Sequence, residues 1–344
     1  MKNNILIDHN LRLNKIKRDL DVIFKSNSFT QGKYNQLFSK KIKKYLNVKF
    51  AYLTSSATTA LSICLDVLNI KKNDDVVISD YSWISTAHVV ENIGANPIFV
   101  DVDKNTFNMC PKILKKKITK KTKAIIFVHA LGNPSGYDEI SKIAKRNNIP
   151  LIHDAACSLG SKIKNKFIGN SNDLTCFSFH QRKILTTGEG GAIVTNNKRY
   201  AKKINLLLSL GAVKIKNRKY LDFVDKGFNF RLSEIQCLIG FKQLNNLNEK
   251  IKLRNKIYSN YIKILKNLNF IPQLIEKSYL SNIQSCAFKL PKKIDLEKFM
   301  KYLEKNKIDC TIGTYSISNT IYYKKNYKKP QPNSHELFKS TISL

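Results

Sequence analysis

Short apolar runs alternate with amphipathic segments from about residue 50 onward. Leu61, Cys64, Leu65 and Leu68 follow the first run at helical spacing, and the segment 137–148 repeats this spacing later in the chain. The runs are nearly continuous in apolar residues, which is typical of strands buried on both faces of a sheet. They lie at 49–55, 76–80, 97–103, 124–130, 150–156, 174–179 and 191–196. The pattern predicts an α/β fold with a mostly parallel central sheet flanked by helices.

The pattern changes after residue 240. Residues 233–268 form a long helical pattern, as one helix or as two, and shorter mixed elements follow it. We therefore predict a large domain over residues 1–240 and a smaller α/β domain over residues 241–344.

The formal net charge is +35, from 60 Lys and Arg against 25 Asp and Glu. A basic surface attracts nucleic acid. The excess lysines, however, are spread along the whole chain, and Arg-rich clusters interleaved with aromatic residues are absent from the sequence. The one local run, at 114–123, falls between a helical pattern and a strand, where a solvated turn is expected. We predict no nucleic-acid partner and a basic surface that helps to attract an anionic substrate.

Membrane segments and export signals are not indicated. No run of about 18 apolar residues occurs, and the start MKNNILIDHNLRLNK has no apolar stretch followed by small residues. The seven cysteines lack CxxC spacing, which indicates reduced thiols rather than zinc ligands or disulfides. We expect a cytoplasmic protein without a membrane segment or a metal site.

Thr58 and Thr59 lie in TSSATTAL, where a predicted strand leads into a helix. Free amides and the positive end of the helix dipole can hold a phosphate at such a turn, with the threonine hydroxyls as additional donors. Ordinary capping of the helix by Ser and Thr is the alternative.

Asp154 ends the apolar run in LIHDAACSLGS, and Trp83 follows another run in SDYSWISTA. Ligands of open α/β sheets bind at the carboxyl ends of the strands. A carboxylate buried there needs a partner, which is either a protonated ring nitrogen or a salt bridge or helix cap. Trp83 either stacks on an aromatic cofactor or packs in the core.

Ser178 and Lys183 lie in SFHQRKILTTGEGGAIVT, between a strand and a glycine-rich turn that permits close backbone approach. An amine held at a partly buried strand end can act as a Schiff-base nucleophile. A solvated lysine is the alternative, and it applies to nearly all other lysines of this chain.

These residues together match the needs of pyridoxal phosphate (PLP). The cofactor requires a phosphate cradle, a stacking face, an acid beside its ring nitrogen and a lysine for its aldehyde. The order along the chain is a phosphate turn, an aromatic residue, Asp154, Ser178 and then Lys183.

The sequence resembles the DegT/DnrJ/EryC1/StrS family of PLP-dependent sugar aminotransferases, within the fold-type-I aspartate aminotransferase superfamily. The resemblance covers nearly the whole chain. It rests on SNSFTQGKYNQLF, TSSATTAL, DYSWISTA, GANPIFVDVD, KTKAIIFVHALGNP, HDAACSLGS, FSFHQRKILTTGEGGAIVT and GFNFRLSEIQCLIGFKQL. It implies the PLP-dependent transferase fold of type I, with a large cofactor-binding domain and a small C-terminal domain.

The resemblance also implies catalytic roles. Lys183 would bind the cofactor aldehyde and later move the proton. Asp154 would keep the pyridine nitrogen protonated, and Trp83 would stack on the ring.

Further residues would hold the cofactor by the same resemblance. Thr58, Thr59 and Ser178 would bind the phosphate. Asn229 would reach the phosphate bound in the neighbouring subunit of a homodimer whose active sites are shared across the interface. Cys157 would lie near the cofactor hydroxyl, where many family members have Gln or His.

The implied reaction moves an amino group from glutamate to a nucleotide-linked keto-deoxysugar by a ping-pong mechanism, for amino-sugar and surface-polysaccharide biosynthesis. One alternative is a sugar dehydratase of the same superfamily that depends on pyridoxamine phosphate (PMP). Those enzymes typically have histidine at the lysine position, so Lys183 argues against this alternative. A non-catalytic homologue, regulatory or truncated, is the other. The chain stops at HELFKSTISL, where family members usually continue, so we expect the small domain to be incomplete.

Overall fold

The structure is a computed structural model that describes residues 13–327 and 331–344. Most of the N-terminal stretch that we predict not to be a signal peptide lies outside these residues. The α-helices of the described residues are α1 (Leu13–Ser26), α2 (Lys33–Leu46), α3 (Ala57–Val67), α4 (Ser85–Glu91), α5 (Pro111–Lys117), α6 (Tyr137–Arg146), α7 (Lys198–Leu208), α8 (Glu234–Gln243), α9 (Leu247–Lys266), α10 (Leu296–Lys305), α11 (Ile321–Lys324) and α12 (Pro332–Ser340). Short 3₁₀ helices lie at Ala130–Gly132, Leu244–Asn246 and Ile317–Asn319.

The strands of the described residues are β1 (Phe50–Thr54), β2 (Asp75–Ser79), β3 (Tyr81–Ser82), β4 (Asn96–Val100), β5 (Thr122–Val128), β6 (Leu151–Asp154), β7 (Lys162–Ile163), β8 (Lys166–Phe167), β9 (Leu174–Ser178), β10 (Gly191–Thr195), β11 (Ala212–Lys214), β12 (Leu221–Phe223), β13 (Ile271–Pro272), β14 (Tyr279–Leu280), β15 (Ala287–Lys289), β16 (Thr311–Ile312), β17 (Tyr315–Ser316) and β18 (Thr341–Ser343).

The central sheet has the strand order β1-β10-β9-β6-β5-β2-β4. Strands β9, β6, β5, β2 and β4 pair in parallel, whereas β10 is antiparallel to both of its neighbours. Every apolar run that predicted a strand of this sheet overlaps one. The predicted α/β fold with a mostly parallel sheet is therefore confirmed.

Strand β10 is antiparallel because of the connection that precedes it. Residues 179–190 link β9 to β10 without a helix or strand of their own, whereas parallel strands are usually joined by a crossover that contains a helix. This connection contains Lys183, so it holds the lysine at the edge of the sheet where β9 ends and β10 begins.

Apolar side chains cover both faces of the sheet, as the continuous apolar runs predict. On one face Ile126 and Ile152 of the sheet pack with Leu61 of α3. On the other face Phe127 of the sheet packs with Ile140 of α6.

The long helical pattern at 233–268 forms two helices, α8 and α9, separated by the 3₁₀ turn Leu244–Asn246. The turn contains two asparagines, which are weak helix formers. The C-terminal region builds a separate antiparallel sheet in the order β13-β15-β18-β16. The predicted domain boundary near residue 241 falls inside α8; it stays a prediction, as does the expectation that the small domain is incomplete.

Candidate active site

Most of the predicted site residues lie at one edge of the central sheet. The parallel strands all end at this edge, and β10 begins there, with Gly191 opposite both Thr54 of β1 and Ser178 of β9. Asp154 is the last residue of β6 in the same row. The sheet topology thus brings together side chains that are more than a hundred residues apart in sequence.

Asp154 is buried, with 6% of its surface exposed. Its Oδ2 accepts a hydrogen bond of 2.7 Å from the hydroxyl of Thr86, and its Oδ1 accepts one of 3.3 Å from the backbone N–H of Ala156. Burial raises the pKa of this carboxyl; the hydrogen bonds and the charge of Lys183 act in the opposite direction. Lys183 is therefore close enough to Asp154 for its charge to lower the pKa of that carboxyl.

Lys183 is half-buried in the connection between β9 and β10. Its Nζ donates a hydrogen bond to the Sγ of Cys157, 3.0 Å away. Cys157 lies three residues after the end of β6. The side chain of Lys183 therefore reaches from the connection after β9 to the loop after the neighbouring strand β6. The structure thus brings Lys183, Cys157 and Asp154 together.

The turn between β1 and α3 is a capping box. The hydroxyl of Ser56 accepts from the backbone N–H of Thr59 at 3.1 Å, and the hydroxyl of Thr59 accepts from the backbone N–H of Ser56 at 3.1 Å. The predicted capping role is therefore present at Thr59, whereas Thr58 is exposed. Capping leaves the other N-terminal amides of α3 as donors for an anion.

Ser178 lies beside this turn. A Cβ added to its Cα partner Gly191 would meet the backbone of Ser56 at 2.5 Å and the amide nitrogen of Ala57 at 2.7 Å. Glycine at this position therefore lets β10 touch the start of α3. The predicted phosphate residues Thr58, Thr59 and Ser178 consequently lie at one end of the site.

Trp83 is not a core residue, because 59% of its surface is exposed. Its ring meets that of Tyr315 edge-to-face, with centroids 5.6 Å apart. It lines a groove of about 670 Å³ together with His88 and Tyr322. The alternative that Trp83 packs in the core is wrong.

Asn229 is exposed and accepts a hydrogen bond of 2.8 Å from Nε of Arg231. The carbonyl of the next residue, Phe230, accepts from the backbone N–H of Ser55 at 2.9 Å. Asn229 thus lies on the surface near the phosphate turn, and its side chain is hydrogen-bonded to Arg231 rather than to the site residues described above.

Sequence reasoning missed Thr86, whose hydroxyl orients Asp154 and lies 3.0 Å from that of Ser82. Both residues lie in the SDYSWISTA segment, where the sequence pattern indicated a role for Trp83 alone. In the described ranges 13–327 and 331–344, no group of His, Cys, Asp or Glu could hold a metal ion. No helix in that part of the chain is long and apolar enough to cross a membrane.

Comparison with known proteins extends these observations. The sequence profile of the DegT/DnrJ/EryC1/StrS aminotransferase family matches residues 12–344. A UDP-4-amino-4,6-dideoxy-N-acetyl-beta-L-altrosamine transaminase of Campylobacter jejuni subsp. jejuni serotype O:23/36 is 38% identical over 267 residues, covering 76% of this chain and 70% of that protein. A GDP-perosamine synthase of Escherichia coli O157:H7 is 34% identical over 249 residues, covering 72% and 67%.

A solved structure agrees with the sequence matches. An aminotransferase of Helicobacter pylori involved in the biosynthesis of pseudoaminic acid superimposes with a TM-score of 0.88 at 27% identity, over 95% of this chain and 90% of that chain. The predicted fold type I is thereby confirmed. The chain belongs to the DegT/DnrJ/EryC1/StrS aminotransferase family.

Proposed function

We propose that this aminotransferase uses PLP to move an amino group onto a nucleotide-linked keto-deoxysugar. The buried carboxylate of Asp154 is the observation that carries the proposal. Its hydrogen-bond donors are neutral, and among the described residues it forms no ion pair. A buried carboxylate is stabilised by a cation, and the protonated ring nitrogen of PLP would supply one.

The surrounding residues fit the rest of the cofactor. The exposed indole of Trp83 offers a flat face for the ring. The start of α3, with Thr58, Thr59 and Ser178, offers amide and hydroxyl donors for the phosphate. We further propose that Asn229 of the partner subunit completes the phosphate site in a homodimer.

When bound, PLP supplies an electron-withdrawing ring that stabilises negative charge on a substrate carbon that loses its proton. Asp154 keeps the ring nitrogen protonated through its own negative charge. The Nζ of Lys183 takes the proton from the Cα of the amino donor and delivers a proton to the sugar carbon in the second half-reaction. Cys157 holds that Nζ at 3.0 Å and so limits the positions it can adopt.

The names of the relatives support the proposed substrates. Two relatives at 34% and 38% identity are named for nucleotide-linked amino sugars, which supports a nucleotide-linked keto-deoxysugar as acceptor here. A spore coat polysaccharide biosynthesis protein of Bacillus subtilis, 29% identical over 334 residues, supports a role in surface polysaccharides. We propose glutamate as the donor, and a ping-pong mechanism because one site serves both substrates in turn.

We place the reaction in the cytoplasm. All seven cysteines are free thiols in the structure, and this supports a reducing compartment.

The absorbance spectrum of the purified protein with PLP, before and after glutamate, tests the proposal. We expect a visible band that is lost on addition of glutamate and restored by the keto-sugar. The Lys183→Ala variant should lose amino transfer but still bind PMP tightly, whereas its affinity for PLP should fall because the bond to the lysine is lost. A fully active Lys183→Ala variant would contradict the assignment, and sugar dehydration without amino transfer would favour the dehydratase.

A further inference from the structure

The backbone on both sides of Lys183 is held by one distant side chain, that of Gln284. Its Oε1 accepts a hydrogen bond of 3.0 Å from the backbone N–H of Ile184, and its Nε2 donates one of 2.8 Å to the carbonyl of Arg182. Gln284 is 100 residues further along the chain than Ile184. The amide therefore bridges the residue before the lysine and the residue after it.

The residue two positions earlier, Asn282, holds the neighbouring loop in the same way. Its Nδ2 donates a hydrogen bond of 3.0 Å to the carbonyl of Leu159, and its backbone N–H donates one of 2.9 Å to the hydroxyl of Ser161. This loop begins with Cys157, the hydrogen-bond acceptor of Lys183. The segment 282–284 thus supports both partners of the contact between Lys183 and Cys157.

Ile283, between these two side chains, has a backbone conformation that β-branched residues rarely adopt. Its φ is +49°, in the left-handed region, and its side chain is buried. Nη1 of Arg254 donates to the carbonyls of Ile283 and Gln284, each at 3.0 Å, and the hydroxyl of Ser281 accepts from the N–H of Ile283 at 3.0 Å. Strained residues persist where their surroundings over-determine them, and they are concentrated at functional sites.

We infer that Gln284 is a positioning residue that sets where the amine of Lys183 lies, and this inference rests on the proposed role of Lys183 in binding PLP. The connection at 179–190 has no helix or strand to direct its side chains. Fixing the carbonyl before Lys183 and the N–H after it fixes the direction of its Cα–Cβ bond. A reacting group held in this way spends less of its time in unproductive positions.

PLP and PMP distinguish positioning of the amine from general support of the site. The aldehyde carbon of PLP forms a C=N bond with an amine, and the aldehyde oxygen leaves as water, whereas PMP carries an amine at that carbon and binds without this bond. A misplaced lysine therefore weakens PLP binding and leaves PMP binding intact.

The test compares Gln284→Met with Gln273→Met as a matched control. Met has a similar length and no amide. Gln273 is buried, and its Nε2 donates hydrogen bonds of 2.8 and 3.1 Å to the carbonyls of Thr106 and Ala130. Neither acceptor lies in the connection at 179–190. Dissociation constants for PLP and for PMP are measured by titration, together with the unfolding temperature of each cofactor-free variant.

We expect Gln284→Met to raise the Kd for PLP roughly tenfold, because both hydrogen bonds that hold the backbone beside Lys183 are lost, and to change the Kd for PMP less than about twofold. Gln273→Met should lower the unfolding temperature similarly and leave both constants unchanged. An equal rise in the Kd for PLP and for PMP, or no change in either Kd, would overturn the positioning role. If Gln284→Met does not fold, Gln284→Glu, which keeps the acceptor for Ile184, should give a smaller shift for PLP alone. A wild-type protein that binds neither ligand would refute the proposed function itself.

Discussion

The hydroxyl of Thr86 donates a hydrogen bond of 2.7 Å to Oδ2 of Asp154 at the buried end of β6. The Thr86 hydroxyl lies 3.0 Å from that of Ser82, which limits the directions it can take. Neutral donors orient the carboxylate but do not cancel its charge. Asp154 is therefore both fixed in direction and available for a cationic partner.

Asp154→Asn keeps the shape of the side chain and removes its charge. Because the charge would no longer keep the cofactor nitrogen protonated, we expect kcat to fall by roughly 10²–10³-fold. Steady-state kinetics at saturating PLP measure this loss. Asp101→Asn is the matched control, since Asp101 is also a buried carboxylate beside a strand end and accepts from the N–H groups of Asn333 and Ser334. The control should retain kcat; equal losses in both variants would indicate a structural effect.

The same substitution should stabilise the cofactor-free protein at neutral pH. Burial raises the pKa of Asp154 above its ordinary value of 3.8, so the folded state binds this proton more tightly than the unfolded state. The free energy of unfolding then falls as pH rises from 3.8 through the folded-state pKa. Asp154→Asn lacks this loss, and we expect an unfolding temperature higher by roughly 1–3 °C at pH 7.

Thermal unfolding without PLP, followed as a function of pH, checks this expectation. The difference in unfolding temperature between Asp154→Asn and the wild type should become smaller as the pH is lowered towards 3.8. A variant that is less stable than the wild type at pH 7 would show that the carboxylate supports the fold.

The sequence was sufficient to predict the sheet and the residues at its edge. Apolar runs indicate buried strands, and parallel strands place their carboxyl ends at the same edge of the sheet. Asp154 and Ser178 could therefore be expected to lie at the same edge. The direction of β10 did not follow from the runs, because an apolar strand has the same pattern in either direction. The direction of β10 goes with the connection that contains Lys183, which has no crossover helix.

Gln284 could not have been predicted from the sequence. Its hydrogen bonds to Arg182 and Ile184 join segments about a hundred residues apart, and a single glutamine among short mixed elements has no pattern that marks it. The left-handed conformation of Ile283 could not be predicted from the sequence either, because isoleucine favours an extended backbone.

Thr58 and Thr59 should differ in what their loss changes. Thr59 belongs to the capping box with Ser56, so Thr59→Ala should lower the free energy of unfolding by about 1 kcal/mol and also weaken PLP binding. Thr58 is exposed, so Thr58→Ala should weaken PLP binding with little change in stability. Urea unfolding without cofactor and PLP titration measure the two effects. A stability loss as large for Thr58→Ala as for Thr59→Ala would contradict this division.

His129 should make the protein sensitive to acid. The Nε2 of His129 lies 2.9 Å from Nδ1 of His153. The Nε2 of His153 in turn lies 3.4 Å from Oδ2 of Asp173. Burial, and secondly the neighbouring His153, lower the pKa of His129 well below 6.5. The unfolded state then binds a proton that the folded state does not, so stability present above pH 6.5 is lost as the pH falls.

The slope for this one proton is about 1.4 kcal/mol per pH unit. His129→Gln keeps a polar group facing His153 but cannot titrate, and its stability should fall less steeply between pH 6.5 and 5. Urea unfolding at several pH values measures both slopes. Identical slopes would assign the acid sensitivity to other groups.

Mixing two variants tests whether the active site is shared between subunits, because each variant alone should have low activity at low PLP. Lys183→Ala removes the lysine of a site, and Asn229→Ala removes the residue proposed to come from the partner subunit. A mixed dimer would hold one site with both residues intact. After subunit exchange at low PLP, we expect roughly a quarter of wild-type activity, since about half of the dimers are mixed and each has one intact site. Mixing Lys183→Ala with Asp154→Asn is the control and should restore nothing, because both residues belong to the same subunit's site. Recovery in both mixtures, or in neither, would contradict the proposed placement of Asn229.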